Sequence, residues 1–116
     1  MARYSSLFTL ATPLASVRHR LAEVLRSCDC DVIYDEDDYV FAREVPGRVS
    51  YSHLVTVEVL IDKTVDRTKE VQLNVVVKNE ELPLKRDNHC RQMFEQVFEA
   101  FESDHQWNMV ESVQAT

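Results

Sequence analysis

Glycine is almost missing from this chain: Gly47 is the only one in 116 residues. A phosphate-cradling loop needs several glycines so that backbone N–H groups can close on the anion, which argues against nucleotide binding of that kind. Cysteine is scarce and odd in number, at three. Cys28, Cys30 and Cys90 therefore fit a reduced intracellular protein better than a disulfide framework. No apolar run approaches the roughly 20 residues that a membrane-crossing helix needs. Met1 to Phe8 is too poor in apolar residues for a secretory signal and shows no clear cleavage site. The expected location is the cytoplasm. Positive charge is also short, with 13 Lys and Arg against 20 Asp and Glu and a net charge of −7. Nucleic acids and anionic membranes attract clustered cations; Lys85-Arg86 is the longest basic run, so neither partner is expected.

What the chain does have is β-branched sequence. Leu54 to Ile61 and Val71 to Val77 are rich in valine and free of Gly and Pro, so both read as strands. Side chains alternate across a strand, which puts Val55, Val57, Val59 and Ile61 on one face and Val71, Leu73, Val75 and Val77 on the matching face. The charged stretch from Asp62 to Glu70 joins them. Cys30 to Tyr34 and Tyr39 to Arg43 read as an earlier hairpin, with Asp35-Glu36-Asp37-Asp38 as its loop. Pro46-Gly47 marks the next turn, where the third position of a type II turn requires positive φ.

Two amphipathic helices supply a cover for the valine face. Thr12-Pro13 opens the first, with Thr12 as N-cap and Pro13 at the first helical position. Its stripe is Leu14, Val17, Leu21, Val24, Leu25 and Cys28, over residues 13–28. Pro83 stops regular structure, after which Asp87 or Asn88 caps a second helix with the stripe Cys90, Met93, Phe94, Val97, Phe98 and Phe101. The ends are less decided. Tyr4 to Ala11 is either a short extra strand or a packed arm, and Gln106 to Val110 either an edge strand or a docking arm.

The expected architecture is α+β: a two-layer sandwich of helix, four-stranded antiparallel meander and helix, with short strands or arms at the termini. One domain spans 1–116, its core over about 12–103 and terminal arms at 1–11 and 104–116.

Signals for chemistry are thin. Gly-x-Ser-x-Gly, His-Glu-x-x-His and Cys-x-x-Cys are absent. The cysteines fall mainly on helix stripes and read as small hydrophobes, while His19, His53, His89 and His105 lack ligand spacing. The Asp35–Asp38 run lacks the glycine and distal Glu of a calcium loop, so no cofactor or metal is expected. The outer face of the sheet is more informative, because Leu54, Thr56, Glu58 and Leu60 alternate with Gln72, Asn74 and Val76 to make a mixed surface.

The order of helix 13–28, strands 30–78 and helix 87–102 resembles the kinase-associated C-terminal (KA1-type) domain. That resemblance implies the topology only, since the family's lipid binding depends on basic patches. Arg18-His19-Arg20-Leu21-Ala22-Glu23-Val24-Leu25, Asp38-Tyr39-Val40-Phe41 and Asn88-His89-Cys90-Arg91-Gln92 are similar in character to small cyanobacterial accessory proteins. The V subunit of the photosynthetic NAD(P)H dehydrogenase-like complex is an example of that class. This second resemblance implies an accessory subunit of a photosynthetic electron-transfer complex.

The functional expectation is a non-catalytic module that docks onto a larger protein or complex. Its contact residues are Asp35, Glu36, Asp37 and Asp38, which suit a basic partner, with Leu54, Leu60 and Trp107. It does not span a membrane, but reaches one peripherally through a partner. The alternative is a small-ligand binder or enzyme with a pocket between helices and sheet, lined by Tyr34, Tyr39 and histidines. Self-association through an edge strand is a third reading.

Overall fold

The structure, a computed structural model, describes residues 1–62, 70–82 and 88–115. The connection at 63–69, Pro83, Lys85-Arg86 and Asp87 lie outside the described residues. In chain order the elements are β1 (Ala2–Leu10), α1 (Leu14–Ser27), β2 (Cys30–Asp35), β3 (Tyr39–Glu44), a single 3-10 turn (Tyr51–His53), β4 (Thr56–Asp62), β5 (Val71–Asn79), α2 (His89–Ser103) and β6 (Met109–Gln114).

The expected four-stranded meander is corrected here. The sheet has six strands, all antiparallel, in the order β2-β3-β4-β5-β1-β6. The first residues are no arm. β1 is nine residues long and lies between β5 and β6, paired with β5 from Ala2 opposite Asn79 to Leu10 opposite Val71. Its inward residues are Ala2, Tyr4, Ser6, Phe8 and Leu10, which pair across with Asn79, Val77, Val75, Leu73 and Val71. Only two of the five are strongly apolar, so the period-2 signal is faint, and burial comes from having a strand on each side.

The helix face follows the alternation closely. Val57, Val59, Leu73, Val75 and Val77 are fully buried, and the register sets Val40–Val59–Val75 and Ala42–Val57–Val77 in rows beneath the helices. α1 buries Val17, Leu21, Val24 and Leu25; α2 buries Cys90, Met93, Phe94, Val97 and Phe101. The rings of Phe98 and Phe101 pack on Phe8 at 5.2 and 5.0 Å between centroids, joining α2 to β1. Aromatic pairs of this geometry add to the area they bury.

The helix ends differ from expectation at one point. Asn88 caps α2, its Oδ1 accepting from Arg91 N at 2.6 Å. At α1, Pro13 is the capping position, and no side chain caps the helix. The Thr12 hydroxyl instead accepts from Asn108 N at 2.9 Å, tying the segment before β6 to the start of α1. α1 closes through Asp29, whose left-handed φ of 62° lets its N–H reach Arg26 O at 3.0 Å. Gly47 has the expected positive φ, at 132°.

Candidate functional site on the outer sheet face

The face turned away from the helices can be assembled row by row from the strand register. Asp31, Arg43, Thr56, Lys78 and Arg3 form the first row across β2, β3, β4, β5 and β1. Tyr34, Phe41, Glu58, Val76 and Ser5 form the second. The third runs Tyr39, Leu60, Asn74, Leu7 and Val113, with β6 replacing β2 at the end. Asp62, Gln72, Thr9 and Glu111 form the fourth. The face is therefore basic along one margin, apolar and aromatic through the middle, and acidic along the other.

The middle rows hold the apolar side chains. Tyr34 and Phe41 meet edge to face at 6.4 Å, Val76 is buried between its neighbours, and Leu60 is 46% exposed. Tyr39 completes the group, and its phenol is pushed up by burial and by Glu58, with Lys78 opposing. In β3, Val40 and Ala42 turn to the helices, leaving Tyr39 and Phe41 on the outer face.

At the basic margin the sheet dips into a hollow of about 480 Å³, lined by Phe41, Arg43, Tyr51, Leu54, Thr56 and Lys78 among others. Thr56 Oγ1 donates to Lys78 O at 3.5 Å, and Lys78 Nζ is 2.7 Å from Glu58 Oε1. A second hollow of about 330 Å³, beside Leu7, Leu60 and Asn74, lies toward the acidic margin with Asp38 and Asp62 on its wall.

The residues singled out from sequence do not form one site. Leu54 and Leu60 are both on the outer face, at the two hollows. Asp35, Glu36, Asp37 and Asp38 are exposed in and beside the β2–β3 hairpin, but Asp35 is already engaged by Arg18 at 2.7 Å. Trp107 takes the core role: it is 3% exposed, packs on Phe101 at 5.3 Å and donates Nε1–H to Phe101 O at 3.0 Å. Tyr34 and Tyr39 do not converge with the histidines. His19 points to solvent on α1 beside Glu23, His105 is exposed in a turn, and His53 closes the 3-10 turn.

Sequence reasoning missed a buried polar cluster at the start of α2. Glu44, fully buried at the end of β3, holds His89 Nε2 at 2.8 Å and accepts from Val55 N at 3.1 Å. Glu81 lies over the helix N-terminus, taking His89 N at 3.1 Å and Cys90 N at 2.9 Å. Asn79 donates to Glu81 Oε1 at 2.6 Å. Burial raises the Glu81 carboxyl, but these hydrogen bonds and the nearby His53 outweigh it and leave it below its ordinary value. A carboxylate facing free N–H groups at a helix start is a structural clamp. Two glutamates without regular spacing gave no signal for it.

The thiols are inert by placement. Burial pushes Cys30 and Cys90 up to about 12 and raises Cys28 as well, and nucleophilic chemistry needs the thiolate. Among the described residues no three His, Cys, Asp or Glu side chains are gathered to hold a metal, and no helix is long and apolar enough to cross a membrane.

No family model matches this chain, and no curated protein does. Among solved structures, a conserved protein from Geobacillus kaustophilus is similar at a TM-score of 0.41 and 13% identity, covering 86% of this chain and 92% of that one.

Proposed function

We propose that this chain is a non-catalytic docking module that presents its outer sheet face to a larger protein or complex in the cytoplasm. The observation that supports the reading is the central band Tyr34–Phe41–Leu60–Leu7–Val113. It lies on a sheet face that no described element covers. A water-facing antiparallel face normally alternates to polar residues. Apolar side chains gathered between a basic and an acidic margin instead suit a partner of matching polarity, with the charges setting orientation and the centre supplying burial. The acidic hairpin Asp35–Asp38 extends the acidic side. The host suggested by the sequence resemblance is a photosynthetic electron-transfer complex, with the module held at its cytoplasmic face.

Self-association through a sheet edge is less favoured. The register shift in β2 makes Ile33 a bulged residue, and the shift between β1 and β6 does the same for Val110. Bulges on edge strands interrupt the ladder that another copy would extend.

The test is affinity capture from native extract at low and moderate salt. Wild type should retain one set of subunits in fixed stoichiometry, Leu60→Asp should lose them, and Asp35→Asn/Asp37→Asn/Asp38→Asn should weaken retention chiefly at low salt. A partnerless wild type would sink the reading.

A further inference from the structure

We infer that the hollow over Thr56 is a binding site for a small neutral saccharide, held by its ring face and its hydroxyls. This goes beyond docking and does not depend on it.

Charge decides the first property of the ligand. Arg43 and Lys78 line the hollow, and so do the carboxylates Glu58 and Glu80. Lys78 Nζ lies 2.7 Å from Glu58 Oε1, and Asp31 stands directly opposite Arg43 in the pairing of β2 with β3. Cations and anions balance, so the hollow offers no net attraction to an ion of either sign. The same side chains are strong hydrogen-bonding groups for an uncharged guest. Arg43 and Lys78 only donate, Glu58 and Glu80 only accept, and the hydroxyls of Ser52 and Thr56 do both. A wall of mixed donors and acceptors suits a guest whose own groups each donate and accept. Hydroxyls do this, and a sugar carries several of them on one rigid frame.

The apolar walls decide the second property. Phe41, Tyr51 and Leu54 supply them, and two of the three are flat rings. A pyranose ring presents C–H groups on its faces, which pack flat against the electron-rich face of an aromatic ring. Tyr51 opens the 3-10 turn and is 82% exposed, so folding leaves its ring available for that contact. A volume of about 480 Å³ falls within the roughly 300–1,000 Å³ of small-molecule sites. Balanced charge, two-way hydrogen bonding and an exposed ring thus point to one class of guest.

The probes are the methyl glycosides of glucose, galactose and mannose, with sorbitol as an open-chain control that keeps the hydroxyls and lacks the ring. Each is titrated into the labelled protein and followed by amide chemical shifts. Saturable shifts centred on residues 41–43, 51–56 and 78 are expected with at least one glycoside, at a Kd of about 10 mM or below, and none with sorbitol. Tyr51→Ala should weaken binding about tenfold, while Tyr51→Phe, which keeps the ring, should stay within about threefold. Val110→Ala, at an exposed residue of β6 outside the hollow, should leave binding unchanged. All three variants should keep the wild-type melting temperature, because both positions are exposed. No saturable response to any of the three glycosides, an equal response to sorbitol, or full binding by Tyr51→Ala would overturn the assignment. Glycoside binding by a protein that captures no partner would uphold the hollow while removing the docking module.

Discussion

On the helix side of β4, Val57, Val59 and Ile61 are at most 4% exposed; on the other side of the same strand Leu60 is 46% exposed and Glu58 and Thr56 are half-buried. One strand thus carries two chemistries at a spacing of one residue. The helix side is mainly apolar, covered by α1 over β2 and by α2 over β1 and β5, and removing its surface from water is the main stabilising term. The outer side has no second layer among the described residues, so its apolar band contributes little to folding. That difference separates substitutions that unfold the protein from those that alter what it binds.

The largest effect expected is from Val57→Asp. It places an unpaired charge beneath the helices, costing several kcal/mol, and should abolish the cooperative melt seen by circular dichroism. Phe8→Ala follows, at about 3–5 kcal/mol, because Phe8 is fully buried against Phe98 and Phe101. A cost below about 1 kcal/mol in urea unfolding would show that β1 is a loosely attached arm after all.

Glu81→Gln should cost about 2 kcal/mol by removing charged acceptors from the start of α2. Its folded carboxyl lies below the ordinary 4.5. The associated stability is therefore complete above that value and lost as pH falls through the lower folded one. In Glu81→Gln the acid limb of a stability–pH curve should flatten, and an unchanged limb would contradict the clamp. Cys30 and Cys90 act at the other end. Both are raised from an ordinary 9.0 to about 12, so their contribution is complete below pH 9 and declines toward pH 12. Ellman's reagent should accordingly react with the native thiols only as fast as the protein opens.

The helices and the four strands from β2 to β5 were legible in the sequence because their signals are local. The α2 stripe from Cys90 to Phe101 and the valines of β4 and β5 state their faces without help from elsewhere. β1 was only half legible: a short strand was one of two readings of Tyr4 to Ala11, and its place inside the sheet was hidden because Ala2, Tyr4 and Ser6 become core only once β5 and β6 flank them. The same holds for the outer-face site. Arg3, Arg43 and Lys78 are far apart in the chain and come into one row through the register of four strands, so a search for basic runs passes over them. Leu54 and Leu60 were found from alternation, whereas Trp107, expected as a contact residue, is held in the core by its hydrogen bond to Phe101.

Leu60→Asp is the smallest effect expected on stability, within about 0.5 kcal/mol as for other surface changes. It makes the central test when set beside its neighbour. Thermal melts of Val59→Asp and Leu60→Asp compare adjacent residues on opposite faces of one strand. Val59→Asp should show no cooperative transition, and Leu60→Asp should melt within about 3 °C of wild type. Equal destabilisation by the two, or a folded Val59→Asp, would contradict the division between a face that folds the protein and a face left free to bind.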